Sequence, residues 1–124
     1  MRCGVDIVDV GRIKNALSRD KGKHFKKKVF TQGEIDYCES KIKGMYQSYA
    51  GRFAAKEAFS KALGKGLGAD VNISEIEVVN DLLGKPRLEI YGHTREVFLE
   101  LGCNEIELSI SHEKEYAVAF VVIV

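Results

Sequence analysis

The sequence predicts an α+β domain, an antiparallel sheet with helices packed against it, on three observations. Residues 2–9 and 108–124 alternate like strands. Two further short strand patterns, residues 76–80 and 87–91, are joined by a turn containing Gly84-Lys85-Pro86. Between these lie segments with helical spacing and helix-type caps, the longest at residues 52–63. No linker, repeat or low-complexity tract interrupts residues 1–124, so one domain is expected.

The first strand places Cys3, Val5 and Ile7 on one side and Gly4, Asp6 and Val8 on the other. An aspartate in such a strand is costly to bury without a partner. A short helix from Gly11 to Ser18 follows, with Ile13, Ala16 and Leu17 as a narrow apolar stripe, and then a lysine-rich stretch that reads as a basic loop. Thr31, with Glu34 three residues later, reads as a capping box opening a helix through Ile35, Tyr37 and Cys38. Gly44 and Gly51 bracket a region that leads into the helix of residues 52–63, and Gly64 stops it. On that helix Ala54, Ala55, Ala58, Phe59, Ala62 and Leu63 fill one apolar half, while Lys56, Glu57, Ser60 and Lys61 share the other with Phe53. The small alanines let another element approach closely, so the Glu57 carboxylate and the Lys61 amine can be held near a fixed wall. The same spacing fits an ordinary Glu-to-Lys pair four apart, contributing about 0.2–0.5 kcal/mol.

After the loop Gly64–Gly68 come strands at Ile76–Asn80 and Arg87–Tyr91, with Pro86 just outside the pairing region. An amphipathic helix, His93–Leu101, ends at Gly102, and Leu108–Ser111 with Tyr116–Val124 close the sheet. The last strand is apolar on both sides: Tyr116, Val118, Phe120, Val122 and Val124 point one way, Ala117, Ala119, Val121 and Ile123 the other. One helical layer covers one face, so the second requires helices that wrap both sides or another copy of the chain.

At 124 residues and 45% hydrophobic content, the chain forms one small core. A domain of this size buries only about two-thirds of its unfolded surface, so assembly would help it. The net charge of +1 argues against a protein built to coat nucleic acid, although Lys21, Lys23, His24, Lys26, Lys27 and Lys28 crowd into one window. Cys3, Cys38 and Cys103 show no metal-type spacing and leave an odd thiol, so neither a zinc site nor a disulfide framework is indicated. A reducing cytoplasm is the expected location. No stretch has transmembrane length without charge, and no apolar signal-peptide run follows the N-terminus.

Four ordered motifs resemble one family, the holo-acyl-carrier-protein synthases, which are small phosphopantetheinyl transferases. They are Gly4-Val5-Asp6 with Arg12-Ile13, Phe53 through Gly64 without a mismatch, Gly84-Lys85-Pro86, and Ser109-Ile110-Ser111-His112 with Tyr116-Ala117-Val118-Ala119. The resemblance covers nearly the whole chain and implies the 4′-phosphopantetheinyl transferase fold. It implies an enzyme that moves the 4′-phosphopantetheine arm of coenzyme A to a serine of apo acyl carrier protein, releasing 3′,5′-ADP, in support of fatty acid biosynthesis. It further implies a divalent metal, usually Mg²⁺, and a homotrimer with active sites in the clefts between subunits.

Transfer of this kind needs its diphosphate neutralised and its nucleophile placed in line. Mg²⁺ typically takes one or two protein carboxylates, and Asp6 with Glu57 supplies that number at the family's metal positions. Glu57, or a metal-bound water that it orients, accepts the serine proton, and the sequence leaves both open. Lys61 is suited to the diphosphate, while Arg52 and Lys65 reach phosphate or the adenosine end. Gly64 allows close backbone approach. Ser109, Ser111 and His112 match the family's nucleotide-contacting segment, with a local hydrogen-bonding role left open for His112.

Acyl carrier proteins are strongly acidic, so Arg12, Lys14, Arg19, Lys23, Lys26 and Lys28 are expected to steer one toward the site. Two other classes of function compete. A basic nucleic-acid-binding module needs aromatic residues among the charges, for which Phe25 and Phe30 are thin support. A non-catalytic trimeric interaction protein has no use for the Asp6 and Glu57 pair.

Overall fold

A computed structural model describes residues 1–124. In chain order the elements are β1 (Arg2–Asp9), α1 (Val10–Ser18), α2 (Gly22–Val29), α3 (Gln32–Glu39), α4 (Met45–Leu63), β2 (Ile76–Asn80), β3 (Pro86–Ile90), α5 (Gly92–Glu100), β4 (Ile106–His112) and β5 (Tyr116–Ile123). A single 3-10 turn, Ile73–Glu75, precedes β2. The α+β expectation holds, but the strands make two antiparallel sheets rather than one: β1-β5-β4, and the hairpin β2-β3. β5 is central in the larger sheet, with Asp6 opposite Ala119 and Ser109 opposite Phe120.

α4 is the core of the molecule. Ala54, Ala55, Ala58, Phe59, Ala62 and Leu63 are all buried, against Ala117, Ala119, Val121 and Ile123 on the inner face of the sheet. Full burial of Phe59 and Leu63 contributes about 1.5–3 kcal/mol each. β1 lies so close to α4 that a Cβ on Gly4 would stand 2.1 Å from the Ala58 carbonyl oxygen and 2.7 Å from the Ala62 nitrogen. Alanine on one side and glycine on the other therefore set the distance between the strand carrying Asp6 and the helix carrying Glu57.

Several local expectations hold. Thr31 and Glu34 form the reciprocal capping box at the start of α3. Gly64 ends α4 in the left-handed conformation at φ 77°. Not foreseen was Asp9 as the cap of α1, which starts at Val10 rather than Gly11, its side chain accepting from the Arg12 amide at 3.3 Å.

Others are corrected. The basic loop is helix α2: Gly22 tucks against the Leu17 carbonyl, Val29 is buried, and Lys26, Lys27 and Lys28 occupy its last turn, where cations suit the dipole. The long helix begins at Met45 rather than residue 52, and Gly51 lies inside it, where a Cβ would meet Ile110 at 3.0 Å. Lys56 and Ser60, placed on the polar face by periodicity, are buried. Pro86 is the first residue of β3, opposite Asn80, rather than outside the pairing. At an edge strand of a two-stranded sheet its missing N–H costs no ladder bond.

The outer face of the larger sheet remains apolar and open. Val5 and Ile7 of β1 and Tyr116 and Phe120 of β5 are exposed there, while the helices cover only the inner face. No helix is long and apolar enough to cross a membrane.

Candidate active site

The close packing of β1 on α4 brings Asp6, Glu57 and Lys61 to one cavity of about 480 Å³, walled by Val8, Phe25 and Phe53. The Lys61 ammonium donates to Asp6 Oδ1 at 2.9 Å and to the Val5 carbonyl at 3.2 Å. The Glu57-to-Lys61 pair expected from helical spacing gives way to this cross-element bond. Glu57 is left without a cation of its own. Its carboxyl is raised above the usual carboxylate range, first by burial, then by the Asp6 charge, with Lys61 opposing both. Lys61 is held protonated more firmly than an ordinary lysine, first by its hydrogen bond to Asp6 and then by that charge.

Two carboxylates facing one cavity, with no third acidic, His or Cys side chain grouped with them, suit Mg²⁺, which keeps several waters and draws further oxygens from a phosphate. They do not suit zinc, which takes three or four nitrogen or sulfur ligands. Arg12 and Arg19 line the same cavity and give its mouth positive charge.

A second groove, of about 280 Å³, lies where α3, α4, the β2-β3 hairpin and the end of β4 meet. Arg52 is buried at its base, stacked 4.1 Å over the Tyr37 ring, with Nη2 donating to Asn80 Oδ1 at 2.6 Å and Nη1 to Ser48 Oγ at 3.4 Å. Its Nε has no partner. Lys41, Lys43 and His112 surround this guanidinium, making a strongly cationic recess. Tyr37, Lys41, Lys43, Ser48 and Asn80 escaped the sequence reading. The signal was faint: two lysines two apart after the α3 helix, and an asparagine at a strand end.

The residues expected to hold coenzyme A thus divide among separate places on one chain. Lys61 stands beside Asp6, and Arg52 with His112 lines the second groove. Gly64 and Lys65 follow α4, Lys65 lying 3.8 Å from Asp70. Ser109 and Ser111 are exposed on β4, opposite Phe120 and Val118 and so on the outer face of the sheet. A single chain does not bring these four groups together.

The residues expected to meet a carrier protein divide as well. Arg12 and Arg19 face the carboxylate cavity, and Lys23 and Lys28 are exposed on α2. Lys14 turns away, 5.6 Å over the Tyr46 ring. Lys26 is committed to an ion pair with Glu39, which also accepts from the Tyr49 hydroxyl. Phe30 is buried and Phe25 is half-buried, so the basic surface has no exposed aromatic platform for a nucleic-acid base.

A family model described as the 4′-phosphopantetheinyl transferase superfamily matches residues 2–121. A holo-[acyl-carrier-protein] synthase of Ruminiclostridium cellulolyticum is 51% identical over 123 residues, 99% of this chain and 91% of that protein. One from a Geobacter species, strain M21, is 47% identical over 97% of this chain and 94% of its own length. Among solved structures, the Neisseria meningitidis holo-[acyl-carrier-protein] synthase superposes with a TM-score of 0.88 at 34% identity, covering 98% of this chain and 96% of that one. The Helicobacter pylori enzyme in complex with coenzyme A gives 0.86 at 30% identity, covering 98% and 99%.

Proposed function

Because the chain belongs to the 4′-phosphopantetheinyl transferase superfamily, we propose that its carboxylate cavity is where a carrier-protein serine meets coenzyme A. The reaction is transfer of the 4′-phosphopantetheine arm of coenzyme A to a serine of apo acyl carrier protein. The serine oxygen bonds to the phosphorus nearer the pantetheine arm, the bond from that phosphorus to the bridging oxygen breaks, and 3′,5′-ADP leaves.

The observation that carries this reading is Asp6 and Glu57 sharing one cavity with Lys61 beside them. Asp6 and Glu57 would hold a divalent ion, which when bound neutralises the diphosphate. Lys61, beside Asp6, would meet the same phosphates. Glu57 takes the serine proton, directly or through a water that it orients. Phe53, Phe25 and Val8 give the cavity its apolar wall.

The nucleotide end of coenzyme A fits the recess built on Arg52. A 3′-phosphate there would satisfy its unpartnered Nε and meet Lys41, Lys43 and His112. The chain works as a homotrimer, with the outer faces of three sheets packed together. This covers Val5, Ile7 and Phe120, and brings Ser109 and Ser111 of one subunit toward the cavity of the next. It acts in the cytoplasm, where Cys3, Cys38 and Cys103 stay as thiols, and serves fatty acid biosynthesis.

The test is the mass of an apo carrier protein before and after incubation with this chain, coenzyme A and Mg²⁺. A gain of one phosphopantetheine arm is expected, and an unchanged mass overturns the reading.

A further inference from the structure

Next to Glu57 on α4, Lys56 turns away from the carboxylate cavity and is entirely buried. Its ammonium donates to the Val29 carbonyl at 2.7 Å, to Glu34 Oε1 at 2.7 Å and to the Ile73 carbonyl at 3.3 Å. Glu34 is equally buried, and both its oxygens are fully used: Oε1 also accepts from the Thr31 amide at 2.9 Å and Oε2 from the Val78 amide at 2.8 Å. Burying an ion pair costs desolvation energy, and an apolar pair of the same size often does as well or better for stability. The arrangement is therefore explained by what the pair connects rather than by what it contributes to the core.

Through Lys56 it ties the end of α2 to the catalytic helix, while Glu34 links α3 to the Val78 amide of β2. α2 has eight residues, too few to stand without tertiary support. At its start, Gly22 rests on the Leu17 carbonyl of α1, where a Cβ would lie at 2.1 Å. At its end, the Val29 carbonyl is among those a helix leaves without an internal partner, and Lys56 takes it. Held at both ends, α2 places Phe25 in the wall of the Asp6 and Glu57 cavity and presents Lys23, Lys27 and Lys28 to solvent beside it. The groove around Arg52 is lined by α3, α4, the β2-β3 hairpin and β4, and no residue of α2 enters it.

We infer that Lys56 is a positioning residue for the protein substrate: by fixing the end of α2 it holds the surface that an acidic carrier protein docks on, without touching either substrate. This rests on the phosphopantetheine-transfer reading above. Loss of Lys56 then weakens recognition of the carrier and leaves coenzyme A binding alone.

Two variants test it, Lys56→Met and the double variant Lys56→Met with Glu34→Gln, which leaves no unpaired buried carboxylate. In Lys56→Met, where Glu34 keeps its bonds to the Thr31 and Val78 amides, the KM for apo carrier protein should rise about tenfold while the KM for coenzyme A stays within about twofold, and in the double variant the carrier KM should still rise more than the coenzyme A KM. Hydrogen exchange at the α2 amides of Phe25 to Phe30 should accelerate relative to those of Ala58 to Ala62 on α4. A loss confined to kcat, an equal rise in both KM values, or failure of both variants to fold would each assign the pair to stability alone and overturn the inference. If the unmodified chain transfers nothing, the functional reading falls and takes this inference with it. An active unmodified chain whose variants keep its carrier KM removes the inference only.

Discussion

The ammonium of Lys61 stands 2.9 Å from Asp6 Oδ1, across the gap between helix and strand that Gly4 and Ala58 keep narrow. The Lys61 side chain is 53% exposed, and ion pairs in such settings contribute only about 0–1 kcal/mol. Its value lies in charge placement. Lys61→Met should therefore shift stability by less than about 1 kcal/mol in a denaturant titration, yet lower kcat/KM for coenzyme A by about a hundredfold. A large stability loss with near-normal kinetics would show that the lysine is structural.

If Asp6 and Glu57 hold one ion, their losses should not add. Asp6→Asn and Glu57→Gln should each lower kcat about a hundred- to ten-thousand-fold, and the double variant should be no worse than the poorer single one. Initial rates with saturating Mg²⁺, and again with excess chelator, provide the measurement. Additive losses, or activity that survives the chelator, would separate the two carboxylates.

Glu75 gives a pH test remote from the chemistry. Its carboxylate accepts from the Thr94 hydroxyl at 2.8 Å and from the Thr94 and His93 amides at 3.1 and 3.2 Å, capping α5. These bonds, the Thr94 hydroxyl foremost, hold its pKa below the unfolded value near 4.5. A pKa lowered by folding stabilises fully above the unfolded value, and the gain fades as pH falls through the folded one. Glu75→Gln should thus cost about 1 kcal/mol at pH 7, with a smaller gap in acid. Urea titrations at pH 7 and pH 4 measure it, and a gap independent of pH counts against the cap.

The open face of the larger sheet should disappear in solution. Light scattering of the unmodified chain is expected to give three times the chain mass, and Phe120→Glu, placed between Val5 and Ser109, to give the monomer with little transfer activity. A monomeric mass for the unmodified chain would remove the shared-site arrangement.

Charge on α2 should act on the carrier protein alone. Lys23→Glu with Lys28→Glu is expected to raise the carrier KM and flatten its salt dependence between 0.01 and 0.15 M, as screening shortens from about 30 to about 8 Å. The KM for coenzyme A should hardly move. Tight RNA or DNA binding with a steep salt slope would favour the nucleic-acid reading instead.

What the sequence made legible was local. Alternation put Asp6 on one side of its strand with Gly4 and Val8, the alanine stripe identified the helix that receives that side, and Thr31 with Glu34 announced a cap that the structure contains. Helix α2 was hidden because its order depends on a bond from Lys56, distant in sequence, and on Gly22 fitting against Leu17. Periodicity likewise puts a lysine on a polar face unless its buried partner is known, and Glu34 belongs to another helix. The recess around Arg52 draws on α3, α4, the β2-β3 hairpin and β4, so no single window displays it.

The pairing of β1 with β5 has a consequence for the timing of synthesis. Asp6 is held in place by a ladder whose other rail includes Ala119, so the carboxylate made among the first residues waits for nearly the last strand before it has a fixed position. At about 5–20 residues per second, the ribosome emits Glu57 seconds before that strand. A nascent chain stalled before Tyr116 should hold α4 without a working cavity. Catalytic competence would then begin only once the closing strand has cleared the exit tunnel.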